Sequence, residues 1–181
     1  GTASGTVVSS AGTQILTQAG SAVATVLSGG TEFVSSGGQS LRTVVSSGGV
    51  ESVLAGGTAL STTLLAGGTD IVVSAGVIQS ATVSSGGRLI ASSGGVAQTI
   101  VVSRGGTVTV GSGGTASATT VLSGGAIVLA GGTVTGLTIS NGGSEVVASG
   151  VTVTSTTVTS GLTLGVSSAT ATVNRPPSAT R

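Results

Sequence analysis

The sequence predicts an all-β protein whose chain coils into a right-handed parallel β-helix, a solenoid of about nine rungs. Three observations support this prediction: glycines recur at a regular spacing, aliphatic residues form two columns at the same spacing, and the composition favours strands. Among the 181 residues there are 34 glycines and one aromatic residue, and 5% of the residues are charged. The apolar residues are almost all Val, Ala, Leu and Ile, which suits short extended segments punctuated by glycine.

The glycine spacing sets the length of one rung. Gly-Gly pairs, replaced by Ala-Gly or Ser-Gly in a few places, alternate between a short step of 8 residues, sometimes 7, and a long step of 11, once 10. One short arm and one long arm therefore span 19 residues, or 18 in three places, which is typical of a solenoid. Such frequent glycine pairs would break a helix, and a flexible Gly/Ser/Thr linker would lack phased aliphatic residues. We expect two short strands in each rung, joined by glycine turns.

Two apolar columns emerge when the sequence is folded at this period. In the long arm the predicted core column is Val8, Val26, Val45, Leu64, Val83, Val102, Val121 and Ile139. In the short arm it is Leu16, Val34, Val53, Val72, Ala91, Val110, Val128 and Val146. Because a rung this short cannot bury its own apolar face, rungs stacked at about 4.8 Å would join these side chains into one core. We expect the repeat region to cover residues 1–161, and a degenerate last rung with a Pro-containing tail or linker to cover 162–181.

The residue inventory excludes the usual catalytic and zinc-binding chemistry. The sequence contains no His, Cys or Lys, so it lacks the common general base, the thiol and the amine nucleophile. We predict no enzyme activity, no cofactor and no metal site. A net charge of +1 and five scattered arginines do not indicate nucleic-acid binding. No apolar run is long enough to predict a membrane-spanning helix.

Three acidic residues share one rung position. Glu32, Glu51 and Asp70 are spaced by 19 residues, so stacking would place them roughly 5 Å apart on consecutive rungs. Strict alternation with the core valines would turn them inward, but burial of three unpaired carboxylates is very costly. We therefore expect a bend after the glycine turn that exposes these residues as a solvated edge. A cation or partner site at the same three residues is the alternative.

The long arm also carries an outward column of β-branched residues. By strand alternation, the residue before each long-arm core position faces solvent. The predicted face comprises Val44, Thr63, Thr82, Val101, Thr120 and Thr138, with Val7 and Thr25 at the start of the same column. Strand propensity alone accounts for Thr and Val at such positions. A flat, uncharged sheet face also invites association, so this column is a candidate self-association face.

The repeat units resemble those of a known family. The stretches TVVSSGGVESVLAGGTALSTT (Thr43–Thr63) and TVLSGGAIVLAGGTVTG (Thr120–Gly136) are similar to passenger repeats of self-associating autotransporter adhesins of Gram-negative bacteria. The nearest type is the adhesin involved in diffuse adherence (AIDA), and the resemblance covers roughly Thr2–Gly161. It implies a β-helix displayed at the bacterial cell surface by an outer-membrane barrel. It also implies self-association, cell aggregation and biofilm formation, and in some relatives host adhesion and glycosylation of Ser and Thr.

Two functions remain open at this point. The first is a cell-surface or secreted adhesin repeat whose partner is a copy of itself on a neighbouring molecule or cell, with host or surface glycans as further partners. The alternative is a structural extracellular filament or matrix protein, in which rungs of separate molecules stack end to end. Neither interpretation involves nucleic acid or insertion of this segment into a membrane.

Overall fold

The computed structural model describes residues 1–148, 151, 156–158 and 163–166, and the regular secondary structure of these residues is entirely β-strand. The strands form three parallel sheets, which are the walls of a right-handed solenoid of about eight turns. Eight rungs contribute a strand to every sheet, and a ninth adds Thr156–Val158 and Thr163–Val166 to two of them. The predicted parallel β-helix is therefore confirmed.

Each rung runs through the three sheets in a constant order, here named A, B and C. Sheet A consists of Thr2–Ser4, Ser21–Val23, Gln39–Leu41, Thr58–Leu60, Val77–Gln79, Val96–Gln98, Thr115–Ser117 and Thr133–Thr135. Sheet B consists of Val7–Ser9, Val26–Ser28, Val44–Ser46, Thr63–Leu64, Thr82–Val83, Val101–Val102, Thr120–Val121, Leu137–Ile139 and Thr156–Val158. Sheet C consists of Thr13–Leu16, Thr31–Val34, Val50–Val53, Thr69–Val72, Arg88–Ala91, Thr107–Gly111, Ala126–Ala130, Ser144–Val147 and Thr163–Val166.

The long arm contains two strands, so the prediction of two strands in each rung is wrong. Sheets A and B meet at a sharp corner where one residue of each rung adopts the left-handed conformation, as do Arg42 with a φ of 58° and Thr99 with a φ of 54°. Among the eight complete rungs, glycine occupies this corner at Gly5 and Gly136, and Ala, Ser, Thr or Arg occupies it elsewhere. Because most rungs place a non-glycine residue there, the corner has no consistent glycine signal in the sequence.

The two glycines of each pair have different roles in the turns that flank sheet C. In the pair Gly56–Gly57 the first residue has a φ of 72°, which only glycine adopts without steric cost. A Cβ on Gly57 would lie 2.1 Å from the carbonyl oxygen of Val34 on the preceding rung. The first glycine thus permits the turn, and the second permits one rung to lie closely over the next.

The interior is filled by side-chain columns that run along the solenoid axis. Sheet B contributes the buried residues Val8, Leu27, Val45, Leu64, Val83, Val102, Val121 and Ile139. Sheet C contributes the buried residues Leu16, Val34, Val53, Val72, Ala91, Val110, Leu129 and Val147. Register pairs such as Val83 with Val102 place each side chain directly over its counterpart. The predicted stacking of like aliphatic residues is confirmed at most positions.

Three residues that we assigned to the core face outward instead, and they are Val26, Val128 and Val146. Their places in the two columns are taken by Leu27, Leu129 and Val147. In each of these arms the step between glycines is one residue shorter. In the arms of Val26 and Val128 the missing residue belongs to the turn and not to the strand. A core position counted back from the closing glycine is then wrong by one residue. An error of one residue assigns an outward side chain to the inner face of the strand.

The predicted boundary after residue 161 lies outside the described residues, as does most of 162–181. Within that segment, Thr163–Val166 pairs in parallel with Ser144–Val147 of the preceding rung. The division into a repeat region and a tail stays a prediction. Across the described ranges, no stretch of helix is long and apolar enough to cross a bilayer.

Candidate functional site

The outer face of sheet B contains the predicted association column, which we call the sheet B column. Its members are Val44, Thr63, Thr82, Val101, Thr120 and Thr138. They lie in direct register on consecutive rungs, and all are partly or fully exposed. Of the residues of sheet B that the structure describes, none is charged. The result is a straight, uncharged ridge of Thr and Val parallel to the solenoid axis.

Thr25 does not belong to this outward column, contrary to the sequence prediction. It is fully buried, and Val26 takes the outward position in register with Val44. The cause is the same one-residue shortening of the turn. Thr25 instead joins an inward column at the corner between sheets A and B, where it is followed by Thr43 and Thr62.

Sheet C presents a second outward column, the sheet C stripe, which the sequence analysis missed. It consists of Ile15, Phe33, Ser52, Ile71, Ile90, Thr109, Val128 and Val146, each in register with the next. Ile15 is 65% exposed, and Phe33, which is the only aromatic residue of the chain, is 36% exposed. The sequence signal for this stripe is alternation within the short arm. Two inward residues of each strand flank one outward residue, and that outward residue is usually aliphatic.

Glu32, Glu51 and Asp70 point into the solenoid, so the predicted solvated edge is wrong. Each lies two positions before an inward valine of sheet C and shares its face, as simple alternation requires. All three side chains are completely buried, and so is Glu145 on the eighth rung. The exposed charged residues of the described ranges are therefore all arginines, namely Arg42, Arg88 and Arg104.

Hydrogen bonds and protonation account for the burial of these acids. Ser40 donates to Oε1 of Glu51 at 2.5 Å, and Thr62 donates to Oε2 at 2.9 Å. Burial, reinforced by the adjacent Glu51, raises the pKa of Glu32 to about 8. Burial and the same neighbour also raise the pKa of Asp70 well above its usual range. Desolvation disfavours the charged form of a carboxyl group, so burial favours the neutral form of Glu32 and Asp70.

No metal centre is evident in the part of the chain that the structure describes. There, no group of three or more His, Cys, Asp and Glu side chains is arranged to hold a metal ion. The buried acids lie in a single line along the axis and do not converge on one point.

Comparison with known proteins places this architecture in context. No protein-family model matches the chain, and no curated protein does. Among solved structures, the chain is similar to the crystal structure of a hyper-glycosylated fragment of TibA, whose modification is catalysed by TibC. The two share 38% sequence identity with a TM-score of 0.77, over 91% of this chain and 67% of that one.

The β-solenoid, together with the similarity to the TibA fragment, is the fold of an adhesin passenger, a structural and non-enzymatic class of protein. Passengers of this class are extracellular or exposed at the cell surface. The sequence identity and the coverage indicate a shared family and not only a shared fold, because they exceed what a common architecture alone produces. This chain belongs to the AIDA-like family of autotransporter adhesin passengers.

Proposed function

We propose that this chain mediates self-association of a bacterial surface adhesin, and through it cell aggregation and biofilm formation. The observation that carries the proposal is the sheet B column, an uncharged ridge of Thr and Val in register over successive rungs. Charged side chains are the usual protection of a sheet surface against association, and this face has none among its described residues. The partner is a second copy of the chain on a neighbouring molecule or cell.

The dimensions of the face favour a weak and reversible contact. Eight rungs at about 4.8 Å give a length of about 38 Å, and three residues of extended strand give a width of about 10 Å. One face therefore offers about 400 Å², roughly half of what each partner buries in a standard stable interface. Contacts of this kind become strong when many act together between two cell surfaces.

The sheet C stripe supplies a second lateral face to the same rod. Six of its eight positions carry Ile, Phe or Val, and Arg88 is the one charged residue exposed on the described part of sheet C. A solenoid with two association faces can bind a neighbour on each side and form extended layers. A solenoid with one such face forms only dimers.

Three matched variants on rungs five to seven test which face associates. Each introduces charges of alternating sign, so that stacked neighbours attract one another and the fold is preserved. The sheet B variant is Thr82→Glu, Val101→Lys and Thr120→Glu. The sheet C variant is Ile90→Glu, Thr109→Lys and Val128→Glu, and the sheet A control is Gln79→Glu, Gln98→Lys and Ser117→Glu.

The readouts are sedimentation velocity of the purified chain and aggregation of cells that display it, with circular dichroism to confirm the strand content. We expect the sheet B variant to weaken self-association about tenfold or more and the sheet A control to leave it unchanged. A sheet B variant that is folded and associates like the wild type would refute the role of the sheet B column. Loss confined to the sheet C variant would assign the contact to the sheet C stripe.

We also propose that exposed Ser and Thr side chains of this chain are glycosylated. The support is the hyper-glycosylated state of the TibA fragment, together with exposed serines in the turns, such as Ser47, Ser85 and Ser93. The intact mass of the protein purified from its native source should exceed the mass calculated from the sequence by whole sugar increments. A mass equal to the calculated value would contradict the proposal.

A further inference from the structure

A line of three carboxyl groups runs through the interior of rungs two to four. Glu32 pairs in register with Glu51, and Glu51 pairs with Asp70. The same column continues as Leu89, Val108 and Ile127 on rungs five to seven. The same interior position of the rung is therefore occupied by acids on rungs two to four and by aliphatic residues on rungs five to seven.

The hydroxyl groups of neighbouring strands satisfy only part of this line. Glu51 accepts hydrogen bonds from Ser40 and Thr62, and Glu32 accepts one of 3.3 Å from Thr43. Oε1 of Glu32 and both carboxyl oxygens of Asp70 have no hydrogen-bond partner among the described residues. Adjacent ionised carboxylates at this spacing would repel one another in a medium without water. A protonated carboxyl removes the charge and supplies a donor to its neighbour.

Among the residues that the structure describes, no cation lies against the acids from the other walls. The inward side chains that rungs two to four contribute from sheet A, sheet B and the corner are Ala22, Ser40, Ala59, Leu27, Val45, Leu64, Thr25, Thr43 and Thr62. None of these side chains is titratable or charged in the physiological range. Arg42, Arg88 and Arg104 are exposed, and along the column the acids are bounded by Gln14 and Leu89. The negative charge that ionisation would create on this line is therefore not neutralised by any described arginine.

We propose that Glu32 and Asp70, which lie in register on either side of Glu51, form a proton-dependent latch. The latch keeps rungs two to four packed together while these two carboxyl groups are protonated and lets the rungs separate when the two groups ionise. Rungs five to seven, with Leu89, Val108 and Ile127 in the same column, stay packed together over the same pH range. The chain thus contains an alkali-sensitive segment next to an insensitive one with the same fold.

The direction of the effect follows from proton binding. In the unfolded chain the Glu32 carboxyl loses its proton near its ordinary pKa of 4.5, whereas in the folded chain burial holds the pKa at about 8. Between these values the folded state binds the extra proton, so stability falls as the pH rises through this window. Below the window both states are protonated, and the stabilisation is complete. Asp70 shifts in the same direction and adds to the effect.

Hydrogen exchange followed by mass spectrometry on the whole chain tests the latch. Backbone amides of rungs two to four, residues 21–72, are compared with those of rungs five to seven, residues 77–130, between pH 5.5 and 9 after correction for intrinsic exchange rates. We expect protection of rungs two to four to fall about tenfold or more relative to rungs five to seven as the pH rises. Glu145 lies on rung eight, so that rung is left out of the comparison.

Two variants separate titration from packing. The triple variant Glu32→Gln, Glu51→Gln and Asp70→Asn keeps the shape of the side chains and replaces every carboxyl group of the line by a neutral amide. The triple variant Glu32→Leu, Glu51→Val and Asp70→Ile introduces the residue types that occupy this column on the next three rungs. It replaces the amide variant in the experiment if the amide variant does not fold. We expect the pH-dependent difference between the two segments to disappear in either variant that folds. A wild-type chain without the difference, or a folded variant that retains it, would overturn the proposal.

Discussion

Thr62, on the fourth rung, donates a hydrogen bond of 2.9 Å to Oε2 of Glu51 on the third rung. Both side chains are buried, so the bond links two rungs inside the core, in addition to the backbone ladder that links them at the wall. The interior of this solenoid is therefore not purely aliphatic. A polar seam, made of Glu32, Glu51 and Asp70 and of the hydroxyl groups that donate to the two glutamates, lies among the stacked valines and leucines.

The Thr62 hydroxyl should contribute measurably to stability. Thr62→Val removes the donor, preserves the side-chain shape and leaves a buried oxygen of Glu51 unsatisfied. We expect a loss of about 1–2 kcal/mol in the free energy of unfolding, measured by urea denaturation near pH 6. The adjacent outward residue provides the control, because Thr63→Val should change stability by less than about 0.5 kcal/mol. Equal effects of the two substitutions would show that the hydrogen bond contributes nothing.

The inward orientation of Val83 predicts a severe effect of charge at that position. Val83 is completely buried between Leu64 and Val102 in the sheet B core column. Val83→Asp would bury a carboxyl with aliphatic neighbours and should cost at least about 3 kcal/mol or prevent folding. Thr82→Asp, one residue earlier on the solvent side, should leave the melting temperature nearly unchanged. A Val83→Asp protein with wild-type strand content and melting temperature would contradict the assignment of inner and outer faces.

The two glycines of one turn should tolerate alanine unequally. Gly56→Ala places a side chain in a left-handed conformation and should cost about 1–2 kcal/mol. Gly57→Ala places a Cβ 2.1 Å from the Val34 carbonyl oxygen, so the rungs must separate locally. We expect Gly57→Ala to lower the melting temperature clearly more than Gly56→Ala does, in parallel thermal denaturations. The reverse order would contradict the close stacking of rungs at the second glycine.

The corner between sheets A and B offers a stabilising substitution. Thr99 is exposed and holds a φ of 54°, a conformation that is unfavourable for a β-branched residue. Thr99→Gly should raise the free energy of unfolding by about 0.5–1 kcal/mol, because relief of strain exceeds the entropy that glycine loses on folding. Thr109→Gly, within a strand of sheet C, should lower it by about 1 kcal/mol. Destabilisation by Thr99→Gly would mean that the corner is not strained.

The repeat and most of the core could be predicted because both depend on short-range regularities of the chain. Gly-Gly pairs mark the turns, and a period of 19 residues aligns columns such as Val45 and Leu64 without knowledge of the structure. The one-residue errors at Val26, Val128 and Val146 arose because glycines were the reference points and the turns vary in length. The corner at Arg42 escaped prediction because its left-handed residue is not a glycine.

The acids could not be placed correctly from one strand alone. Within its own strand Glu51 has no hydrogen-bond partner, whereas its two donors come from a neighbouring strand of the same rung and from the next rung. Both donors, Ser40 and Thr62, are separated from Glu51 by 11 residues in the sequence, and Thr43 has the same separation from Glu32. This repeated spacing of acid and hydroxyl is the sequence signal of the polar seam. The outward sheet B column was placed correctly from Val44 to Thr138, and its role in association stays a prediction.

The most direct measurement of in-register stacking is disulfide formation between two rungs. Gln79 and Gln98 are register partners on the outer face of sheet A, and the chain has no native cysteine to interfere. In Gln79→Cys with Gln98→Cys, the Cα atoms should lie about 5 Å apart, within the range that a disulfide spans. In the control Leu60→Cys with Ser117→Cys, three rungs separate the cysteines by about 14 Å. Mild oxidation of the folded monomer should link the first pair and leave the second pair as free thiols in the mass spectrum. A first pair that oxidises no faster than the control would contradict the stacked solenoid.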